Sequence, residues 1–443
     1  MSSGISQNFK PHTLLKFAFP SMIMMVFMSI YTIADGMFVS RYLGDAALSS
    51  VNIVYPVIFL ANGFGVMLGT GGSAIIAKEM GEGKQEKARE DFTFLTCFGV
   101  FVGLILLVST FLFSESIIRW LGSSQSLMAN CKAYLLPFIF FAPITILQLM
   151  FQCLFATAGK PHYGLILTVI GGITNIVLDY IFLGPLKLGV SGAAIATGIG
   201  QCIPAIFGLI YFTLKRKELF FVRFRPDFKS LGRACFNGSS EMITSLSNAV
   251  VTFLFNIILI RIAGESGVAA ITIILYGQFL FNSLYLGFTI GVAPVISYNY
   301  GSNNKKQLQS VTKISLCFIG ASSIVITALS FLFAEWIVRI FVGQTNETYL
   351  LATTGFMIFS INYLFGGLNI FTSSLFTALS DGKRSAILSF LRTFFITVVS
   401  LLVLPRILGI TGVWLAVPCA EAVTLLFSLL FLLRQNKNYH YLK

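Results

Sequence analysis

The sequence predicts an all-α integral membrane protein of twelve transmembrane helices, set as two parallel six-helix lobes around a central cleft. Three observations lead there. Of 443 residues, 56% are hydrophobic and only 11% charged, with a mean hydropathy of +0.85; soluble domains carry about 25% charged residues. Apolar stretches long enough to cross a bilayer, about 20 residues each, recur twelve times with little chain between them. The first half of the chain reappears in the second at a constant shift of 220 residues.

In chain order the spans are expected at 14–40, 47–77, 91–113, 131–157, 162–184, 189–214, 236–262, 267–299, 311–334, 349–379, 385–405 and 410–434. All should be helices, because an open strand cannot satisfy its backbone in lipid. The first reads as a span and not a removable leader, since no small-residue cleavage site follows a short apolar core. Small-xxx-small seams for close helix packing occur at Gly65 and Gly69, Gly99 and Gly103, and Gly287 and Gly291. No aqueous domain of useful size remains.

Net charge is +13. The basic residues sit in short loops and form no basic domain, so nucleic acid is not an expected partner. Twenty-two lysines and arginines fall on the side of the termini and seven on the other, with Arg392 alone inside a span. That asymmetry places both termini in the cytoplasm. The seven cysteines have no CxxC spacing and read as small apolar fillers, and His12, His162 and His440 lie in or beside loops. No His-based metal or catalytic site is expected.

The repeat lays "SRYLGD" at Ser40–Asp45 on "IRIAGE" at Ile260–Glu265, and "FLFSESIIR" from Phe111 on "FLFAEWIVR" from Phe331. It also pairs Asn62 with Asn282, Gly71 with Gly291, Gly81 with Gly301, Pro185 with Pro405, and "GVSG" from Gly189 with "GITG" from Gly409. Six spans per copy make the copies parallel, related by an axis along the membrane normal. The lobes are then 1–221 and 222–443, joined by the basic, aromatic linker "KRKELFFVRFRPDFKSLGR", which suits an anionic membrane surface.

Most acids lie in loops or at helix ends; Asp35, Asp179, Glu241 and Glu421 lie well inside spans. A carboxylate there is costly and points to function by default. Counting back from Arg41 and Gly184, Asp35 and Asp179 sit about 8–9 Å below the outer surface in the same half. Asn175 is one turn from Asp179 on the same face, and Thr197 lies about 12 Å into the sixth span. These four side chains are expected to form one oxygen-rich cluster. The repeat puts Phe255 and Val399 where Asp35 and Asp179 would recur, so the scaffold is duplicated and the cluster is not. Two nearby carboxylates in low dielectric cannot both stay charged cheaply, so a proton or Na⁺ is expected to neutralise them. In the other half, Arg392 is expected to pair with Glu421 or with Glu241; alternatively Glu241 faces the cleft and attracts cations. Pro20, lacking a donor for the helical ladder, is a candidate hinge in the first span.

This pattern resembles the multidrug and toxic compound extrusion (MATE) transporters, and among them the bacterial multidrug efflux branch. The likeness covers nearly the whole chain. It rests on the two six-helix halves, the first-span "ADGMFVSRYLG", the second-loop "AKEMGEGKQEKARE", the fifth-span Asn-xxx-Asp and "GAAIAT" opening span six. The resemblance implies a cation site at Asp35, Asn175, Asp179 and Thr197. It adds Gln152, where members often have asparagine, although Gln152 lies nearer the cytoplasm than Asp35. Glu241 matches an acidic position that some branches carry in the C-terminal lobe.

The implied activity is export of cationic amphiphilic drugs and dyes in exchange for H⁺ or Na⁺, by a monomer in the bacterial plasma membrane. No cofactor is implied, and no metal beyond Na⁺ at the Asp35 cluster. The 45 phenylalanines and 12 methionines offer soft, cation-attracting apolar walls, and the sequence has no GxxxxGK[ST] loop for ATP phosphates. Two alternatives stand beside this reading. A lipid-linked oligosaccharide flippase should line its cleft with bases, and only Arg392 is deep. An integral-membrane enzyme would need a reaction site, for which Asp35 and Asp179 are the available dyad.

Overall fold

The structure, a computed structural model, describes residues 4–442 except 124, 126 and 344–346; for 40, 44–46, 48 and 49 it describes backbone only. In the "SRYLGD" half of one repeat match, Ser40, Gly44 and Asp45 fall outside the described side chains. The spans are Pro11–Leu43, Ser50–Gly81, Gln85–Trp120, Met128–Phe140 with Ala142–Thr157, Pro161–Leu183, Val190–Leu214, Ser239–Gly301, Lys305–Phe341, Glu347–Ser360 with Asn362–Ala378, Gly382–Leu408, and Ile410–Tyr439. Ser239–Gly301 holds two of them. Its 63 residues would reach about 95 Å as one rod, and Gly264 breaks it at φ +61°. The count is therefore twelve, and an even count puts both termini on one side, called here the terminal side.

Most helices run a few residues past their apolar stretches at one or both ends, while spans five and six keep to the expected bounds within a residue and span two starts three residues later. The spans at 131–157 and 349–379 are each bent, by 55° at Phe141 and 49° at Ile361. At the first break Pro143 has no N–H to give back to Ile139, and Phe141 N–H turns to Phe138 O at 3.0 Å. At the second, the Asn362 side-chain amide donates to Phe359 O at 2.5 Å, competing with the ladder. The helix of the first span runs on through Pro20.

The repeat is a structural symmetry. Phe141 and Ile361 are 220 residues apart. So are Gly189 and Gly409, which start spans six and twelve at φ +63° and +58°, a left-handed region that suits glycine. The chain after each sixth span also repeats. Arg89 donates to Glu218 O and Lys217 O, and Gln309, its counterpart, donates to His440 O and Leu442 O. The backbone N–H of Phe221 bonds Phe212 O, and the Tyr441 hydroxyl bonds the equivalent Leu432 O at 2.7 Å. The linker's first part is thus the N-terminal copy of the chain's own tail.

The lobes meet across the same symmetry. A Cβ on Gly81 would stand 2.2 Å from Tyr298 O, and one on Gly301 would stand 2.1 Å from Lys78 O, the counterpart contact. Spans two and eight therefore touch backbone to backbone on the terminal side. Deeper in, Gly71 abuts Gly238 while Gly291 abuts Ala18, again a matched pair. The Gly65/Gly69 and Gly99/Gly103 seams both receive the fourth span, at Ile146–Cys153 and at Pro143 with Met150. Around this frame large apolar side chains point outward, among them Leu112, Ile173, Leu332, Ile407 and Leu433. In water such a belt would be a liability; against lipid it is the expected surface.

Gly81→Ala should cost about 1–3 kcal/mol through overpacking of the seam, read as a lower thermal midpoint of the detergent-purified chain. Gly320→Ala, with nothing within 4 Å of its added Cβ, should leave that midpoint unchanged or slightly raised.

Candidate functional site

Three spans build the N-terminal cluster of four side chains. Asp35 comes from span one, Asn175 and Asp179 from span five, Thr197 from span six. Asp179 and Asn175 are buried. The Asn175 amide donates to Thr197 Oγ1 at 3.5 Å, and that hydroxyl in turn bonds Ala193 O at 3.0 Å. The Asp35 and Asp179 carboxyl groups lie within hydrogen-bonding reach of each other. As two carboxylates, neither can donate to the other; Oδ1 of Asp35 and both oxygens of Asp179 are buried without a well-formed hydrogen bond, the Asn175 amide being the neighbouring donor to Asp179. A proton carried by either one supplies the missing hydrogen. A small cation would serve the same oxygens, with Asn175 Oδ1, also unpartnered, beside them.

The structure does not bring Gln152 into this group. Its amide reaches Thr168 Oγ1 at 3.3 Å and Met28 Sδ at 3.8 Å. Met28 is seven residues toward the terminal side of Asp35, about 10 Å of helix. Four tyrosines that the sequence reading did not single out stand within electrostatic reach of Asp35: Tyr31, Tyr55, Tyr134 and Tyr276. Tyr31 was within reach of inference, being one turn before Asp35 on the same face. Tyr276 was not, because it comes from the other lobe. Its hydroxyl would lie 2.7 Å from a Cβ on Gly36. The carboxyl pair thus sits beside a contact between lobes.

The C-terminal lobe is arranged differently. Arg392 Nη1 donates to Glu421 Oε1 at 3.4 Å, both side chains being about nine-tenths buried (11% and 7% exposed). The Asn369 amide donates to Glu421 Oε2 at 2.7 Å, and the Ser428 hydroxyl closes the chain on Asn369 Oδ1 at 2.7 Å. Arg392 occupies a π-helical turn, Leu391–Phe395, which widens the helix at the ion pair. Glu241 lies within electrostatic reach of Arg392 and, on the other lobe, of Cys153. The expected partner Glu421 therefore takes the arginine directly, and Glu241 stands between the lobes. At Glu421's counterpart, Gln201, the N-terminal lobe has only a neutral bond from Thr145 at 2.5 Å.

The MatE family model matches residues 20–181 and 242–402, one segment in each repeat. The chain belongs to the MatE family. It is a multi-pass membrane transporter, and nothing points positively to catalysis. The Multidrug export protein MepA of Staphylococcus saprophyticus is 25% identical over 437 residues, covering 96% of this chain and 94% of that one. MepA of Staphylococcus aureus is 25% identical over 429 residues with the same coverage. Among solved structures, a MATE in complex with MaL6 superposes with a TM-score of 0.92 at 22% identity, covering 99% of this chain and 100% of the other. An outward-facing multidrug resistance MATE family transporter of the MOP superfamily gives 0.91 at 22% identity over 98% and 97%. These likenesses fix the MatE fold; the residue roles rest on geometry.

Arg392→Met should strand the Glu421 carboxylate and destabilise the chain by about 3–5 kcal/mol. Adding Glu421→Gln should restore most of that loss, giving a large coupling in a double-mutant cycle of thermal unfolding.

Proposed function

We propose that this chain is a secondary active multidrug exporter, exchanging cationic amphiphilic drugs and dyes for H⁺ or Na⁺ by alternating access. The observation that carries the reading is the Asp35–Asp179 pair, with no donor between its two carboxyl groups, beside a contact between the lobes. Asn175 and Thr197 complete the coupling site. The terminal side is taken as cytoplasmic, from the excess of lysine and arginine there. The lobes are taken as 1–221 and 222–443, in one monomer in the bacterial plasma membrane.

On this reading the lobes are closed on the cytoplasmic side by the Gly81–Tyr298 and Gly301–Lys78 contacts. An organic cation enters when that seam parts, binds apolar walls between the lobes, and is favoured by Glu241. After the lobes rock, a proton or Na⁺ reaches Asp35 and Asp179 from the outer side. Neutralising the pair changes what the Gly36–Tyr276 contact must tolerate, and span one shifts against span eight. The ligand's positive charge then loses its electrostatic reward, and it leaves. Pro20 gives span one a place to flex, because the Lys16 carbonyl has no N–H partner four residues on.

Support for the substrate class comes from the relatives, which are named multidrug export proteins. A flippase for lipid-linked oligosaccharides fits less well. Diphosphate needs free bases in the cleft, and the one deep arginine is already held by Glu421.

Proteoliposomes loaded with a fluorescent cationic dye should export it when a proton or sodium gradient is imposed. Asp35→Asn should reduce gradient-driven export to the level of empty vesicles while the protein keeps its thermal midpoint. Full coupled export by that variant would defeat the reading.

A further inference from the structure

The second-loop motif "AKEMGEGKQEKARE" has no part in the cluster above, yet it holds a second buried carboxyl pair. Glu79 lies at the end of span two, two residues before the Gly81 seam, and Asp91 lies in the second turn of span three. They are 6% and 3% exposed. Their carboxyl groups lie within hydrogen-bonding reach of each other. Asp91 Oδ2 already accepts a short bond from the Ser230 hydroxyl, on the linker helix Phe228–Asn237. Oε2 of Glu79 is buried with no donor.

The charges around the pair do not neutralise it by contact. Lys87, on span three, is drawn to Asp227 at 2.9 Å. Asp227 also caps the linker helix, accepting from Lys229 N and Ser230 N at 3.0 Å. The Lys87 ammonium and those amides hold its carboxyl down at about 2, so this partner stays charged. Lys87 itself and Arg233, on the linker helix, act on Glu79 through space. Lys78 lies over the Tyr300 ring, 5.2 Å from its centroid. A cavity of about 750 Å³ on the terminal side reaches Asp91, its other charged lining being Lys84, Glu86, Lys87, Glu90, Arg225 and Asp227. Solution protons thus have a route to Asp91, and through it to Glu79. Like the first pair, this one is not duplicated: Asn299 and Val311 stand at its counterpart positions.

We propose that Glu79 and Asp91 form a second proton-binding site, on the terminal side, which fastens the linker helix and the adjoining seam while it holds its proton. A proton on Glu79 supplies the donor that Oε2 lacks and bridges it to Asp91, which keeps its bond from Ser230. Loss of the proton leaves two buried carboxylates facing each other, two residues from Gly81 along span two. Their repulsion loosens the Asp91–Ser230 bond and the linker helix with it. The site stands on its own geometry and does not depend on Asp35 being the coupling group.

The full chain in lipid nanodiscs, stepped in pH, gives the test by infrared difference spectroscopy. A carboxylic-acid C=O band that titrates should be present in the wild type and in Asp35→Asn. It should be lost in Glu79→Gln and in Asp91→Asn, which keeps an acceptor for Ser230. Hydrogen exchange over 228–237, corrected for intrinsic pH dependence, should accelerate with rising pH in the wild type and stay flat in Glu79→Gln. If either variant fails to fold, the other decides. Retention of the band in a folded Glu79→Gln or Asp91→Asn, or the same exchange profile in wild type and Glu79→Gln, overturns the proposal. Loss of dye export in Asp35→Asn with this band intact would leave the two sites independently tested.

Discussion

Spans two and eight can approach until backbone meets backbone only because Gly81 and Gly301 carry no side chain at the symmetry axis. Everything about how the halves relate follows from that closeness. A seam of interlocked large side chains would have to repack whenever it opened. Two glycines against two carbonyls form a smooth, shallow contact, which, on the function proposed here, parts and re-forms with little rearrangement. Further from the axis, Gly71 against Gly238 and Gly291 against Ala18 continue the same small-residue surface, in keeping with helix association driven by close packing in lipid.

On this symmetric frame the polar groups are distributed unevenly, and their state differs between lobes. Glu421 is satisfied: an arginine, an amide and behind that a serine hydroxyl hold it in one geometry. Such a network fixes helices. Asp35 and Asp179 face each other with no donor between them and only the Asn175 amide beside Asp179; on the function proposed here, something small and positive completes their environment. The first arrangement suits a permanent brace. The second, on the function proposed here, suits an exchangeable ligand, and its place beside Tyr276 ties ligand occupancy to the contact between lobes.

Much of this was legible in the sequence, for physical reasons. Lipid forces each span to be long, apolar and helical, so twelve spans and a 220-residue repeat could be counted directly. Depth along a helix follows from residue count, which brought Asp35 and Asp179 together and set Gln152 apart. What depth cannot give is the rotation of one helix against another. Tyr276 reaches Gly36 from a different lobe, and no spacing encodes that docking. The bend at Phe141 had a visible cause in Pro143, whereas the matching bend at Ile361 depends on an asparagine amide choosing a backbone carbonyl. Asn369 and Ser428 escaped notice because neutral polar residues in a span do not stand out until a charged neighbour such as Glu421 is placed beside them.

The account turns on whether the Asp35–Asp179 pair trades its positive partner against the organic cation. Proton release on adding a cationic dye to the wild-type chain, in weakly buffered detergent with a pH indicator and without sodium, measures that trade directly. The account predicts release in the wild type, its loss in Asp179→Asn, and its persistence in Glu421→Gln with Arg392→Met. Release of equal size in wild type and Asp179→Asn would contradict it.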